Sequence, residues 1–234
     1  TYESAIEKYG TDKPDLRYEL LINNISNEVK GKNFQIFDNN EISVCLKVEG
    51  KSDLTRKEID EITDWVKRPQ IGASGLLWIK HNNDSSFKSS FDKFFSESDL
   101  RVISEKISSK PGDIIFIMSG EYKKTLEQLG SLRVELASRF NLIDQEKNCP
   151  LWVTDFPLFE WDEEEKRFFS MHHPFTSPKP EFLDILDKHP EKVIANAYDL
   201  VLNGNEIGGG SIRIHDFDTQ MKVFELLGMS KEEY

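Results

Sequence analysis

Two apolar segments at residues 195–202 and 206–215 are separated by Asn203-Gly204, and this feature constrains the fold more than any other in the sequence. Asn-Gly between apolar segments is the strongest short-range indication of a β-hairpin, because both turn residues tolerate a positive φ. The two segments are therefore expected to pair as antiparallel strands. A turn at Gly204-Asn205 instead would leave the same residues sharing a face.

Regular alternation in such a hairpin places Asp199, Glu206, Gly208 and Gly210 on one face. Asp199 and Glu206 then lie about 7 Å apart diagonally, which lets their carboxylates share a cation. The glycines leave the surface beside Asp199 open, as a flat ligand would require. This pattern favours a Mg²⁺–phosphate ligand, and the alternative is a solvated Glu206 with Asp199 in a salt bridge.

Arg213 follows the glycine run and offers a two-pronged contact to a substrate carboxylate; otherwise it is an ordinary surface residue. Strict alternation puts Arg213 on the face opposite Glu206. A β-bulge within the glycine run would be needed to bring the two residues to the same face.

His172 and His173 precede Pro174, which favours an extended backbone and therefore opposite directions for the two rings. Only one of them is expected to face a given site, and no third ligand at a suitable spacing makes them a metal pair. The alternative is one exposed ring and one packed ring. Lys13 and Arg17, in the polar loop 10–17, are able to contact phosphate, although the flanking acids favour an ordinary salt-bridged turn.

Composition restricts the classes of partner. The chain has 30 basic and 42 acidic residues, a net charge of −12, so it is a poor autonomous binder of nucleic acid. No apolar run approaches the roughly 20 residues of a membrane-spanning helix.

Cys45 is expected to be a buried thiol, and a reduced setting is favoured over a disulfide with Cys149. The first residue is Thr1, which suggests a piece of a longer chain.

Changes in the pattern of apolar and polar residues divide the sequence into three parts: residues 1–21, 22–147 and 148–234. In the second part, strands alternate with helices, which indicates an α+β or α/β module. Helices are predicted over 1–9, 55–66, 87–95, 99–108, 121–140, 180–189 and 218–227. Strands are predicted over 34–37, 42–48, 76–80, 113–118, 151–159 and 168–171, together with the hairpin. Residues 23–32 are predicted to form a linker.

Four segments resemble bacterial aspartyl-tRNA synthetases. They are residues 9–17 (YGTDKPDLR), 151–160 (LWVTDFPLFE), 171–178 (MHHPFTSP) and 197–215 (AYDLVLNGNEIGGGSIRIH). Residues near 22–147 are similar to the insertion domain of that family, which amidotransferase subunits of the GatB and GatE type share. The resemblance covers essentially the whole chain, and the matches lie in the family's order.

The resemblance implies an α+β fold: an α/β insertion domain of the GAD type, plus part of the antiparallel sheet of a class II synthetase with flanking helices. It implies that His172 and Arg213 bind aspartate, that Glu206 binds ATP, and that Asp199 and Glu206 hold Mg²⁺. No residue is assigned acid–base catalysis. The intact enzyme would activate L-aspartate with ATP and transfer it to tRNA-Asp, with tRNA-Asn left open. It would be a cytoplasmic homodimer.

Departures from the family pattern limit this expectation. Asn205 replaces an apolar or aromatic residue in the turn. The anticodon-binding barrel, the first two class motifs and the Gly-Leu-Asp-Arg segment of the ATP site are missing, so the fragment alone is expected to be inactive. One rival hypothesis is a non-catalytic binding module centred on the insertion domain. A weaker one is a Mg²⁺-dependent phosphohydrolase using Asp199 and Glu206, which lacks an evident water-activating base.

Overall fold

The structure is a computed structural model, and it describes residues 1–229. The chain forms two compact units. One, the central unit, consists of residues 6–11 and 17–146; the other, the hairpin unit, consists of residues 1–5, 12–16 and the chain from 147 onward. The sequence-based boundaries at 22 and 148, and the GAD-type identity of the part between them, stay predictions.

A five-stranded antiparallel sheet forms the framework of the central unit, with strand order β1-β2-β5-β3-β4. The first helix of the chain, which begins before this unit, is α1 (Tyr2–Tyr9). The elements that follow are β1 (Ile22–Asn24), α2 (Ser26–Val29), α3 (Gln35–Asp38), β2 (Ile42–Val48), α4 (Arg56–Val66), β3 (Leu77–His81), β4 (Phe87–Ser89), α5 (Glu97–Lys106), β5 (Ile114–Gly120) and α6 (Tyr122–Arg139).

The central strands β2 and β5 are apolar along almost their whole length and are buried on both faces. Such continuous apolar strands are typical of a sheet that is covered on both sides. Helix α4 begins at a capping box, in which Thr55 and Glu58 satisfy each other's backbone N–H groups. Its residues Ile59, Ile62 and Val66 recur at helical spacing and are buried.

Helix α6 buries an arginine within its apolar side. Arg133 is only 1% exposed. Its guanidinium donates hydrogen bonds to the carbonyl oxygens of Leu20 and Tyr18 and to the Tyr18 hydroxyl, over 2.7, 3.2 and 2.9 Å. The rings of Tyr9 and Tyr18 lie 4.9 and 4.1 Å from it. These acceptors and rings compensate the loss of hydration of the buried cation.

Three predictions for the central unit are wrong. Residues 34–37, predicted as a strand, lie largely within α3; residues 87–95, predicted as a helix, begin with strand β4; and the predicted linker 23–32 holds most of β1 and all of α2. Short apolar runs fit helices and strands equally well by periodicity, so the surrounding core decides between them. Here Phe37, Phe91 and Phe95 pack edge to face in one aromatic cluster.

The hairpin unit contains a three-stranded antiparallel sheet with strand order β10-β9-β6 and a separate hairpin, β7-β8. Its elements are β6 (Pro150–Thr154), β7 (Phe159–Asp162), β8 (Arg167–Ser170), the 3-10 helices Pro180–Ile185 and Pro190–Lys192, β9 (Ala197–Leu202), β10 (Asn205–Ser211) and α7 (Phe217–Leu226). The predicted strand 151–159 is therefore divided between β6 and β7, and the helix predicted at 180–189 is a short 3-10 helix.

The predicted α+β class is confirmed. All strand pairings in the five-stranded sheet are antiparallel, so the central unit is α+β and not a parallel α/β module. Among residues 1–229, no helix combines the length and apolar character needed to cross a membrane. Cys45 and Cys149 are free thiols, and burial raises the pKa of Cys45.

Candidate functional site

The hairpin turn lies at Asn203-Gly204, as predicted. Both residues have positive φ, 51° and 83°, and Leu202 pairs directly with Asn205. Two positive φ values in a two-residue loop are the geometry of a type I′ turn. The amide N–H of Cys149 donates a 3.0 Å hydrogen bond to Oδ1 of Asn203, which fixes the turn to the start of β6.

A β-bulge at Ile207 sets the register of the site. Glu206 pairs with Val201, and Gly208 pairs with Leu200, so Ile207 is the extra residue. Asp199 and Glu206 share a face, as predicted. The prediction that Gly208 and Gly210 share that face is wrong, because the bulge exchanges the faces of all later residues.

The same bulge removes the geometric objection to Arg213. Gly209 pairs with Asp199, and alternation from Gly209 brings Ser211 and then Arg213 back to the face of Asp199. Arg213 itself lies beyond the end of β10, where it forms an isolated antiparallel bridge with Thr176. Its side chain is exposed and forms no ion pair with any residue that the structure describes.

Gly209 makes room for the Asp199 carboxylate. A Cβ built on Gly209 would overlap Oδ1 of Asp199, whereas a Cβ on Gly208 meets nothing within 4 Å. On the opposite face, a Cβ on Gly210 would lie 3.0 Å from the hydroxyl of Tyr198. Two of the three glycines therefore accommodate side chains of the neighbouring strand, and only the space above Gly208 is open.

Asp199 is a buried carboxylate, with 6% of its surface exposed. Burial raises its pKa, and the nearby charge of Glu206 raises it further. The charges of His172 and Lys13 act in the opposite direction. The charge of Glu206 thus disfavours ionisation of Asp199 on the same face, and such a pair of neighbouring carboxylates is well suited to a shared cation.

His172 is the histidine that faces this site. Its Nε2 lies 3.7 Å from Oδ1 of Asp199, and its ring packs edge to face on Phe156, with centroids 4.5 Å apart. The neighbouring His173 is held locally, because its Nδ1 accepts a 3.2 Å hydrogen bond from the amide of Phe175. The opposite directions expected for the two rings agree with these separate partners.

Lys13, which the sequence offered as a phosphate contact with a salt-bridged turn as the favoured alternative, is a member of the site. Its Nζ lies 3.0 Å from Oε2 of Glu206, and this hydrogen bond is the main cause that raises the pKa of Lys13. The loop that carries it lies beside the hairpin turn, where a Cβ on Gly204 would be 3.3 Å from Cβ of Asp15. The sequence predicted a salt-bridged turn but gave no sign that the partner lies 193 residues away.

The carboxylates of this site suit a metal ion that is held partly by the protein and partly by a bound substrate. Among the described residues, no group of three or more His, Cys, Asp or Glu is arranged to bind a metal ion. Asp199 and Glu206 supply two carboxylates, and Mg²⁺ commonly binds one or two carboxylates together with substrate phosphates and water. The pair therefore matches Mg²⁺ bound with a phosphate ligand better than a metal cage made of protein alone.

Comparison with known proteins identifies the family. The sequence model for tRNA synthetases class II (D, K and N) matches residues 1–234. The aspartate–tRNA ligase of Flavobacterium psychrophilum is 50% identical over 233 residues, which are 100% of this chain and 40% of the relative. Those of Porphyromonas gingivalis and Amoebophilus asiaticus are 48% and 45% identical, again over 100% of the chain and 40% of the relative.

The chain thus spans about 40% of the length of the curated relatives that it matches. The match is not confined to the central unit, because it extends through the hairpin that carries Asp199 and Glu206. This chain belongs to the class II tRNA synthetases of the D, K and N type.

Proposed function

We propose that this chain forms part of an aspartate–tRNA ligase, which activates L-aspartate with ATP to aspartyl-adenylate and transfers the aspartyl group to tRNA. The observation that carries the proposal is the group formed by Lys13, His172, Asp199 and Glu206 within one unit of a class II synthetase. Relatives that match the whole chain are named aspartate–tRNA ligases, which supports aspartate over the other amino acids of the family.

Arg213 and His172 are assigned to the aspartate. A guanidinium recognises a carboxylate through two parallel hydrogen bonds, and the exposed Arg213 is available for such a contact with the substrate side chain. His172 contacts both Phe156 and Asp199. We place it against the bound aspartate, where its ring is held in position by those two neighbours.

Glu206 and Asp199 are assigned to the triphosphate of ATP and its Mg²⁺. When bound, Mg²⁺ neutralises phosphate charge and so lowers the barrier to attack at the α-phosphate. Glu206 contributes a half-exposed carboxylate that Lys13 orients, and Asp199 contributes a buried one whose ionisation is disfavoured until a cation is near. No residue of this chain is assigned proton transfer, because adenylate formation depends on positioning and charge neutralisation.

The partners of the longer protein follow from the same proposal. They are L-aspartate, ATP and tRNA-Asp, and we leave tRNA-Asn open. We further propose a homodimer in the cytoplasm, where translation takes place. Because the chain supplies only part of the ligase, we expect it to be inactive by itself.

The test is amino-acid-dependent exchange between ATP and pyrophosphate, measured on a chimera. In the chimera, this chain replaces the matching residues of the Flavobacterium psychrophilum ligase. We expect exchange with aspartate and at least 100-fold less with asparagine or lysine, because a pocket built around a charged carboxylate rejects substrates without it. Equal exchange with asparagine or lysine in a folded chimera would refute the aspartate assignment.

A further inference from the structure

A basic cleft lies in the central unit, and none of its residues is among those assigned to aspartate or ATP. It is a cavity of about 440 Å³ lined by Arg56, Ile59, Trp78, Lys80, Lys88, Ser89 and Ser90. Three cations and no acid line it. Three other cavities of this unit each have at least one Glu or Asp in their lining.

Two of the cations are held directly opposite each other. Lys80 in β3 and Lys88 in the edge strand β4 are paired across the antiparallel ladder. Like charges in this position repel and destabilise the pairing. Burial and then the charge of Lys88 lower the pKa of Lys80, and the charges of Asp53 and Glu58 act in the opposite direction. An anion placed between the two ammonium groups would relieve this cost.

The surrounding contacts leave donors for an anion. Lys80 donates one hydrogen bond to the carbonyl of Leu54. Arg56 contacts Asp60 through Nε, at 2.9 and 3.1 Å, and its terminal nitrogens make no hydrogen bond with the described residues. Lys88 is exposed and forms no ion pair with any described residue. The cleft thus has ammonium and guanidinium donors not fully used by the protein.

We propose that this cleft binds the phosphate groups of an RNA backbone, and so gives the central unit a local contact for tRNA. The inference rests on the proposed function for the identity of the RNA. Trp78 is only 6% exposed and offers no surface on which a base would stack. The cleft therefore recognises phosphate and not base sequence, as contacts from Lys and Arg to the backbone do.

The test is the affinity of the 234-residue chain for a tRNA-Asp transcript. It is measured by fluorescence anisotropy over a range of salt concentrations. Lys88→Ala and Arg56→Ala are compared with Lys93→Ala and Lys57→Ala, which remove the same charge from exposed neighbours outside the cleft. We expect at least a fivefold loss of affinity in each cleft variant, against less than twofold in the controls. Each cleft variant should also reduce the slope of log K against log salt by about one, as expected for one lost phosphate contact.

Three outcomes would overturn the proposal: no binding of the transcript at low salt, equal losses in cleft and control variants, or competition by inorganic phosphate at millimolar concentration that abolishes binding. The last would mark a site for a small anion. Failure of the proposed function is distinguishable, because it appears in the exchange assay of the chimera and not in RNA binding by this chain.

Discussion

Gly209 lies directly opposite Asp199 in the β9–β10 ladder, and any side chain at position 209 would occupy the space of the Asp199 carboxylate. We expect Gly209→Ala to force Asp199 away from its rotamer, at a cost of about 1 kcal/mol. Gly208→Ala is the matched control, since its Cβ meets nothing, and it should be neutral or stabilise by up to about 1 kcal/mol. Hydrogen exchange of the β9 and β10 amides reports both changes. Equal protection in the two variants would contradict the packing account.

The effect of burying the Asp199 carboxylate is tested by the pH dependence of stability in the variant Asp199→Asn. The folded-state pKa of Asp199 is raised above its ordinary value of 3.8, so the folded state binds its proton more tightly than the unfolded state. The free energy of unfolding therefore falls as pH rises from 3.8 through the folded-state pKa of Asp199. Above the folded-state pKa, the whole loss of stability from the buried charge is present. We expect Asp199→Asn to gain stability relative to the wild type between pH 4 and pH 7, measured by urea unfolding. Asp187→Asn, at an exposed position of the same unit, should show no such gain.

Lys13→Met tests the charge balance around the two carboxylates. The charge of Lys13 lowers the pKa of Asp199, so its removal should raise that pKa further. The pKa is measured by NMR titration of the carboxyl carbons. Lys192→Met, an exposed lysine of the same unit, is the control. An unchanged Asp199 titration in Lys13→Met would mean that the ion pair with Glu206 does not couple to the site.

The ion pair between Lys13 and Glu206 has its own pH dependence. Because the folded-state pKa of Lys13 is raised, the stability that it contributes is fully present below its unfolded value of 10.5 and is lost as pH rises through the folded pKa. Both side chains are about 40% exposed, so the contribution is at most about 1 kcal/mol. Lys13→Met should therefore have little effect on stability at pH 7, and a large effect would contradict this estimate.

Arg133→Met tests the buried arginine of α6. The variant leaves two carbonyl groups and one hydroxyl without their donor, and we expect a loss of about 3 kcal/mol from the stability of the central unit. Arg139→Met removes a helix-surface pair with Glu135 and should cost about 0.5 kcal/mol. Hydrogen exchange of the α6 amides separates the two. Similar protection in both variants would mean that Arg133 is not an anchor of this unit.

The parts of the fold that local chemistry determines were predictable. Asn203-Gly204 specifies its turn, and the apolar stretches of β2 and β5 specify buried strands. The position of the bulge at Ile207 was not predictable from the sequence. The next three residues are glycines, so no alternation of apolar and polar side chains shows where the extra residue lies. Arg133, between apolar neighbours in α6, gave no sign that carbonyl groups from residues 18 and 20 would meet it.

The candidate site shows the same division. Asp199 and Glu206 share a face because hairpin pairing is local. This was predictable from the alternation of side chains along the two strands on either side of the turn. The position of Lys13 depends on how a loop near the start of the chain packs beside the hairpin, and sequence periodicity contains no information on such a contact. The role of Arg213 stays a prediction, although the bulge that it requires is present.

The most direct test of the account is the effect of Arg213→Ala on kcat/KM for aspartate in the chimera with the Flavobacterium psychrophilum ligase. Arg167→Ala, an exposed arginine in the β7–β8 hairpin, is the control. We predict a loss of about 100-fold or more for Arg213→Ala, and a similar loss for Arg213→Lys, because an ammonium cannot reproduce the two-pronged contact. The control should stay within twofold of the unmutated chimera. If Arg213→Ala retains kcat/KM within threefold while the chimera is active, aspartate is not recognised by this face of the hairpin and the proposed site is wrong.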